Sequence, residues 1–154
     1  MYSGPLTYAI RLRRLVAQSQ ALAREFRSDE VHPEHLFLAL LRDPEGVAAA
    51  VLAAHSVNVP ALGSCLEGSV PTGRESSSNL TVFTNAVYTL FERMAALARE
   101  LNHAYVGGEH LLLAFMQQDD GQAKRLLEQS GVRRRPGINF TSRVGVAYIA
   151  GHDG

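Results

Sequence analysis

Two four-residue motifs end in a glutamate followed directly by a histidine: residues 32–35 (HPEH) and residues 107–110 (GGEH). Histidine and carboxylate side chains are zinc ligands in proteins. The spacing nevertheless differs from H-E-x-x-H and from its inversion, and no third ligand is evident for His32 and His35. We therefore predict no metal site and no cofactor.

The two carboxylates, Glu34 and Glu109, allow two interpretations. Each could bind a cationic ligand, or each could simply favour a helix start, where an acidic side chain complements the helix dipole. The neighbouring His35 and His110 stand among apolar residues. We expect them to be buried structural histidines that hydrogen-bond to nearby backbone.

The other reactive residues form no catalytic constellation. Cys65 lacks a motif partner and is expected to be a quiet, partly buried thiol; a lone cysteine excludes an internal disulfide and favours a cytoplasmic protein. The sequence contains neither a nucleophile elbow nor a phosphate-binding G-x-x-x-x-G-K-[ST] loop. We predict that the chain is not an enzyme and has no catalytic residues.

The composition narrows the class of protein further. The 154 residues contain 15 basic and 15 acidic side chains, and this balance argues against a nucleic-acid partner. Hydrophobic residues make up 46% and charged residues 19%, a ratio typical of globular proteins. No apolar run of about 18 residues is present, so we expect no membrane association. With no tryptophan, the core must consist mainly of small aliphatic side chains, which suit packed helices.

The chain contains an internal repeat. Residues 21–36 (ALAREFRSDEVHPEHL) recur as residues 96–111 (ALARELNHAYVGGEHL), at an offset of 75 that also relates Val57 to Val132. A unit of this length is too short to bury its apolar face alone, so the two copies must pack together. We predict an all-α fold of two pseudo-twofold-related copies of a four-helix unit.

The helical periodicity assigns elements to each copy. First helices are predicted at about 7–27 and 84–101, the latter with Thr84 as N-cap. Later helices are predicted to begin at Pro33, Asp43 and Val59 in the first copy, and at Gly108 and Asp119 in the second copy. The second copy lacks a clear fourth helix.

These elements predict one domain and a tail, with boundaries set by glycine, proline and serine clusters. The predicted domain spans residues 1–136, with repeat one at about 5–68, a linker at 69–80 and repeat two at about 81–132. Residues 137–154 are rich in β-branched residues and glycine, so we predict an extended or β-prone tail.

The repeat resembles the N-terminal, Clp-repeat domain of the Clp family of ATPases, in its ClpC type. The resemblance rests on residues 96–101 and 102–113 (NHAYVGGEHLLL), with 31–36 (VHPEHL) as a looser first copy, and it extends over about residues 5–132. It implies a domain that captures substrates, adaptors or other Clp subunits for a protein-unfolding chaperone in cytoplasmic proteolysis and quality control.

The resemblance also implies ligand-binding residues. ClpC-type repeats can bind phosphoarginine, with the Glu-His glutamate on the guanidinium and a threonine at the start of the first helix on the phosphoryl group. Thr84 and Glu109, 25 residues apart, match this pattern in the second copy. In the first copy Glu34 matches, but Ala9 stands at the threonine position and Thr7 lies two residues earlier. Related domains bind cyclic-peptide antibiotics across the first helices, where Phe83 matches an aromatic residue.

Three functions remain as hypotheses, one of them a structural partner that docks on another Clp subunit through the β-prone tail; the other two concern ligands. The first is a non-catalytic recognition domain that binds peptides or phosphoarginine-marked proteins. The alternative is a stand-alone protein, similar to actinobacterial ClpC-like proteins without ATPase modules, that sequesters cyclic peptides or adaptors in competition with the ClpC unfoldase. The unusual residues after Pro136 favour a stand-alone protein over a fragment.

Overall fold

The computed structural model describes residues 2–43, 46, 50, 52, 58–68, 82–118 and 121–129. Six helices lie in these ranges: α1 (Ile10–Glu25), α2 (Pro33–Leu41), α3 (Val59–Glu67), α4 (Asn85–Glu100), α5 (Gly108–Gln117) and α6 (Gln122–Gln129). Four two-residue strands stand between them: β1 (Thr7–Tyr8), β2 (Glu30–Val31), β3 (Val82–Phe83) and β4 (Tyr105–Val106). The predicted all-α fold class is confirmed.

The repeat seen in the sequence is also a repeat in conformation. Helices α1 and α4 have 16 residues each, and both end in a turn that contains a non-glycine residue with positive φ, Arg27 at 57° and Asn102 at 60°. In both turns the next residue donates its N–H back into the helix, from Ser28 to Ala23 at 2.7 Å and from His103 to Ala98 at 2.8 Å. The same local chemistry therefore redirects the chain toward the second helix of each copy.

The strands connect the two copies crosswise. Strand β1 of the first copy pairs in parallel with β4 of the second, and β2 of the first copy pairs in parallel with β3 of the second. In both pairs, the strand that precedes the first helix of one copy lies next to the strand that precedes the second helix of the other copy. Each copy thus completes its short sheet only with the other copy.

The second helices form the centre of the core. Seven consecutive residues are buried in each, from His35 to Leu41 in α2 and from His110 to Met116 in α5. A helix that is apolar on all sides must be covered on all sides. Helix α1 packs on α2 and α4 packs on α5, while the rings of Phe37 and Phe115 join the two copies with centroids 5.1 Å apart.

Two predictions are corrected by the structure. The first helix begins at Ile10 and not at residue 7, because Thr7 and Tyr8 take extended backbone to pair with β4. Cys65 is exposed and not partly buried, because α3 turns the face with Leu62 and Leu66 inward.

Several other boundaries are confirmed within one or two residues. Helix α2 begins at Pro33, α3 begins at Val59, and α4 begins directly after Thr84. The predicted linker 69–80, the tail 137–154 and most of the predicted helix from Asp43 to His55 lie outside the described residues.

Candidate binding sites at the helix starts

The start of α4 is built on Thr84. Its backbone is extended, and its side-chain oxygen accepts a hydrogen bond from the N–H of Val87 at 3.3 Å, so Thr84 is the N-cap that the sequence predicts. Its own N–H donates to the carbonyl oxygen of Val31 at 3.1 Å. The first turn of α4 is thereby fixed next to the chain that enters α2.

Glu34 lies in the first turn of α2, three residues after Val31. Its side chain is half-buried, and within the described part of the chain its carboxylate makes no hydrogen bond and no ion pair. The bond between Thr84 and Val31 therefore brings together two helix starts, one with the Thr84 hydroxyl group and one with the Glu34 carboxylate. We name this pair of helix starts the Glu34 site.

The other pair of helix starts, α1 of the first copy and α5 of the second, contains Glu109. The N–H of Ala9 donates to the carbonyl oxygen of Val106 at 2.9 Å, so the start of α1 lies next to the start of α5. Ala9 is the N-cap of α1 and provides no side-chain hydrogen bond. We name this pair of helix starts the Glu109 site, and it lacks the hydroxyl group found in the Glu34 site.

The carboxylate of Glu109 is already engaged. Its side chain is only 14% exposed and accepts a hydrogen bond from the side chain of Tyr105. Burial raises the pKa of Glu109, although Tyr105 and the nearby His103 oppose this effect. A Cβ atom at Gly107 would stand 2.8 Å from Glu109 Oε1, so this position of the carboxylate depends on glycine.

His35 and His110 have the structural role that the sequence predicts. Both are fully buried. The Nδ1 atom of His35 accepts from the N–H of His32, and that of His110 accepts from the N–H of Gly107, each at 2.9 Å. Each histidine therefore occupies the third helical position and satisfies the N-cap amide, as glutamate or glutamine does in a capping box.

The hydrogen bonds pair the predicted ligand residues differently from the sequence pattern. The 25-residue spacing pairs Thr84 with Glu109 inside one copy. The backbone bonds instead bring Thr84 next to the helix that contains Glu34, because the strands cross between copies. The spacing of residues within one copy does not indicate that Thr84 lies next to a helix of the other copy.

An apolar cavity of about 390 Å³ opens between α1 and α4. Residues of both first helices and of β1 line it: Tyr8, Leu12, Arg13, Val16, Phe91 and Met94. Phe83, predicted to lie on a cyclic-peptide surface, packs edge to face on Phe91 with ring centroids 5.5 Å apart. Phe83 therefore supports the wall of this cavity.

Two further features of the described residues concern function. Between residues 2 and 129, as far as the structure describes them, no three His, Cys, Asp or Glu side chains are grouped so as to hold a metal ion. In the same part of the chain, no helix has the length and apolar character needed to span a bilayer.

The crosswise pairing of two helical copies defines a class of repeat domain, and comparison with known families identifies it. The family described as the Clp repeat (R) N-terminal domain matches residues 7–130, so this chain belongs to that family. The resemblance to Clp N-terminal domains noted in the sequence is confirmed.

Two relatives show the level of similarity. The negative regulator of genetic competence ClpC/MecB of Bacillus subtilis is 31% identical over 122 residues, which cover 79% of this chain. The ATP-dependent Clp protease ATP-binding subunit ClpC of Staphylococcus epidermidis is 32% identical over 126 residues, which cover 82% of this chain. The matched region spans 15% of the length of each relative.

Solved structures show the same fold. The N-terminal domain of the chaperone ClpD from Arabidopsis thaliana superposes with a TM-score of 0.62 at 21% identity, over 92% of this chain and 94% of that domain. The N-domain of ClpV from Vibrio cholerae gives a TM-score of 0.65 at 17% identity, over 97% of this chain and 94% of that domain.

Proposed function

We propose that this chain is a non-catalytic recognition domain of a Clp proteolysis system, and that it binds peptides or proteins marked with phosphoarginine. The family membership supports the recognition role. The observation that carries the ligand class is that the helix start with Glu34, whose carboxylate has no polar partner among the described residues, lies next to the helix start capped by Thr84.

The chemistry of the Glu34 site suits the two ends of phosphoarginine. A carboxylate forms charge-assisted, forked hydrogen bonds with a planar guanidinium group. A helix N-terminus presents unpaired N–H groups and a positive dipole end to a phosphoryl group. The Thr84 hydroxyl accepts from Val87 and keeps its own proton to donate to a phosphoryl oxygen.

We expect the Glu109 site to be the weaker of the two. A cationic ligand there must displace the hydrogen bond from Tyr105 and ionise a carboxyl group whose pKa is raised by burial. The opposite helix start contributes Ala9, which has no hydroxyl group. Matching residues within one copy instead predicts that the pocket with Thr84 and Glu109 is the stronger one.

Titration calorimetry with free phosphoarginine tests the proposal. We expect Glu34→Gln and Thr84→Ala each to weaken binding by about tenfold or more, because each removes a charge-assisted hydrogen bond. The double variant should lose less than the sum of the two losses, since both residues hold one ligand. Glu109→Gln should leave this binding event in place.

A matched control uses the neighbouring carboxylate of Glu30. It is exposed, and its Oε2 atom stands 3.8 Å from His32 Nε2. Glu30→Gln removes a similar charge from the same surface and should leave the affinity nearly unchanged. Absence of binding heat with the unaltered chain, or equal losses for Glu30→Gln and Glu34→Gln, would refute the phosphoarginine proposal.

The apolar cavity between α1 and α4 supports the second candidate, a domain that sequesters cyclic peptides. Its lining is suited to an apolar ligand, with Phe91 and Met94 on one side and Leu12 on the other. Tight binding of an apolar cyclic peptide, lost in Phe91→Ala, together with no binding of phosphoarginine, would favour this candidate. Competition with a ClpC unfoldase for that peptide would then test sequestration.

A further inference from the structure

Two histidines of the second copy form a hydrogen-bonded relay that ends on the backbone of α5. His103 Nδ1 stands 2.8 Å from His110 Nε2, and His110 Nδ1 accepts from the N–H of Gly107 at 2.9 Å. His103 is half-buried and His110 is fully buried. The protonation state of His103 is therefore linked, through the buried ring of His110, to the N–H of Gly107, the N-cap residue of α5.

The relay fixes the protonation state of each ring nitrogen. His110 Nδ1 accepts a hydrogen bond and so carries no proton, which leaves the proton of neutral His110 on Nε2. That proton is donated to His103 Nδ1, so neutral His103 carries its own proton on Nε2.

A second proton on His103 cannot be accommodated without breaking a bond. On Nδ1 it would face the Nε2 proton of His110. If His110 moved its proton to Nδ1 in response, that proton would face the N–H of Gly107. Either the bond between the two rings or the bond that caps α5 is lost.

Among the described residues, Glu109 and Tyr105 stand next to the two rings. Glu109 Oε1 stands 3.7 Å from His110 Nδ1, and the ring of Tyr105 in β4 stacks on His103 with centroids 5.1 Å apart. Helix α4, packed on α5, has only apolar side chains among its buried residues, and α2 presents Phe37.

The described charged groups of helices α4 and α6 are exposed or have other partners. In α4, Glu92, Arg93 and Glu100 are exposed, and Arg99 donates to the carbonyl oxygen of Gly4. In α6, Arg125 is exposed and Lys124 pairs with Glu128 at 4.0 Å. The carboxyl group of Glu109, 3.7 Å from His110 Nδ1, is thus a counter-charge within the same turn.

We propose that His103 and His110 form a proton-operated latch on the first turn of α5: the neutral pair holds the turn closed, and protonation of His103 releases the amide of Gly107. The released turn contains Glu109, so acidification loosens the Glu109 site. The latch does not depend on which ligand that site binds.

The first copy has no such latch, although it has the same capping histidine. The residue equivalent to His103 is Ser28, whose hydroxyl donates to the carbonyl oxygen of Glu30 at 2.6 Å. The serine hydroxyl does not titrate between about pH 5 and pH 8, where histidine does. The amide of His32, which donates to His35 Nδ1, is therefore an internal reference for the amide of Gly107.

NMR of the uniformly ¹⁵N-labelled chain tests the latch. Ring spectra report the tautomers, and amide exchange reports protection of Gly107 between about pH 8 and pH 5. We expect a protonated Nε2 on neutral His110, and a loss of Gly107 protection of about fivefold, equivalent to one hydrogen bond, as His103 gains its proton. His32 should show no change linked to His103.

The variant His103→Ser reproduces the first copy and should abolish the pH-linked loss at Gly107. Three results would overturn the proposal. These are a protonated Nδ1 on neutral His110, protonation of His103 without any change at Gly107, and an unchanged pH-linked loss in His103→Ser. The first two are measured on the unaltered chain and hold even if the variant fails to fold.

Discussion

The backbone N–H of Thr84 donates to the carbonyl oxygen of Val31, and this bond joins the start of a helix in the second copy to the start of a helix in the first. Its counterpart joins Ala9, 75 residues before Thr84, to Val106, 75 residues after Val31. Each candidate site is therefore shared between copies, and a change in one copy affects the site whose carboxylate lies in the other.

The N-cap of α4 gives a first prediction about stability. Thr84→Ala removes the hydrogen bond to the N–H of Val87 and should lower the free energy of unfolding by about 1 kcal/mol. Urea denaturation at neutral pH measures this change. Thr89→Ala is the control, because Thr89 is exposed and bonds to Asn85 within the helix; its effect should stay within about 0.5 kcal/mol. Equal losses for the two variants would contradict a capping role.

The ring contact between copies gives a second prediction. Phe115→Ala should cost about 3–5 kcal/mol, because the side chain is fully buried against Phe37 and its loss leaves a cavity. The two copies should still unfold in one transition, since neither completes its sheets or core alone. Ile10→Ala, at a residue 66% exposed, is the control and should change little. Two separate transitions in the unaltered chain would refute this interdependence.

Local features of this fold were predictable from sequence, and the pairing between copies was not. Pro33 and Thr84 mark helix starts through their own chemistry, and the buried role of His110 follows from its apolar neighbours. The contact of Thr84 with the entrance to α2 depends on two-residue strands that pair across the chain. Such short pairs leave no periodic pattern, so the spacing of Thr84 and Glu109 suggested a pocket within one copy.

The N-terminal segment provides a third prediction. The Arg99 guanidinium donates to the carbonyl oxygens of Tyr2 and Gly4, at 3.4 and 2.7 Å, and Tyr2 N–H donates to the carbonyl oxygen of Arg99 at 2.9 Å. Arg99→Ala should release this segment and increase exchange of the Tyr2 amide, which donates to the carbonyl oxygen of residue 99, by about tenfold, since bonds from a charged donor are lost. Arg93→Ala, at an exposed position of the same helix, should leave the exchange unchanged. Equal exchange in both variants would show that Arg99 does not fix the segment.

Burial of His110 gives a prediction about pH. Burial, together with the charge of His103, lowers the pKa of His110 from 6.5 to about 4. As the pH falls below 6.5 the unfolded chain takes up this proton before the native chain does, so the free energy of unfolding decreases. The loss is complete near pH 4 and amounts to about 3 kcal/mol.

Glu109 acts in the opposite direction and must be separated from His110. Burial raises its pKa above 4.5, so the native chain keeps this proton to a higher pH than the unfolded chain. Its contribution to stability therefore falls as the pH rises above 4.5. In Glu109→Gln this contribution is removed, and the stability lost between pH 6.5 and 4 should be larger than in the unaltered chain.

The variant His110→Gln isolates the contribution of the histidine. Glutamine at the third helical position keeps an acceptor for the N–H of Gly107 but does not titrate. We expect a lower stability at neutral pH, because the ring leaves unfilled space in the core, and a flatter dependence on pH between 6.5 and 4. Urea midpoints measured across this range decide the matter. If His110→Gln loses as much stability on acidification as the unaltered chain does, the acid sensitivity originates at another residue.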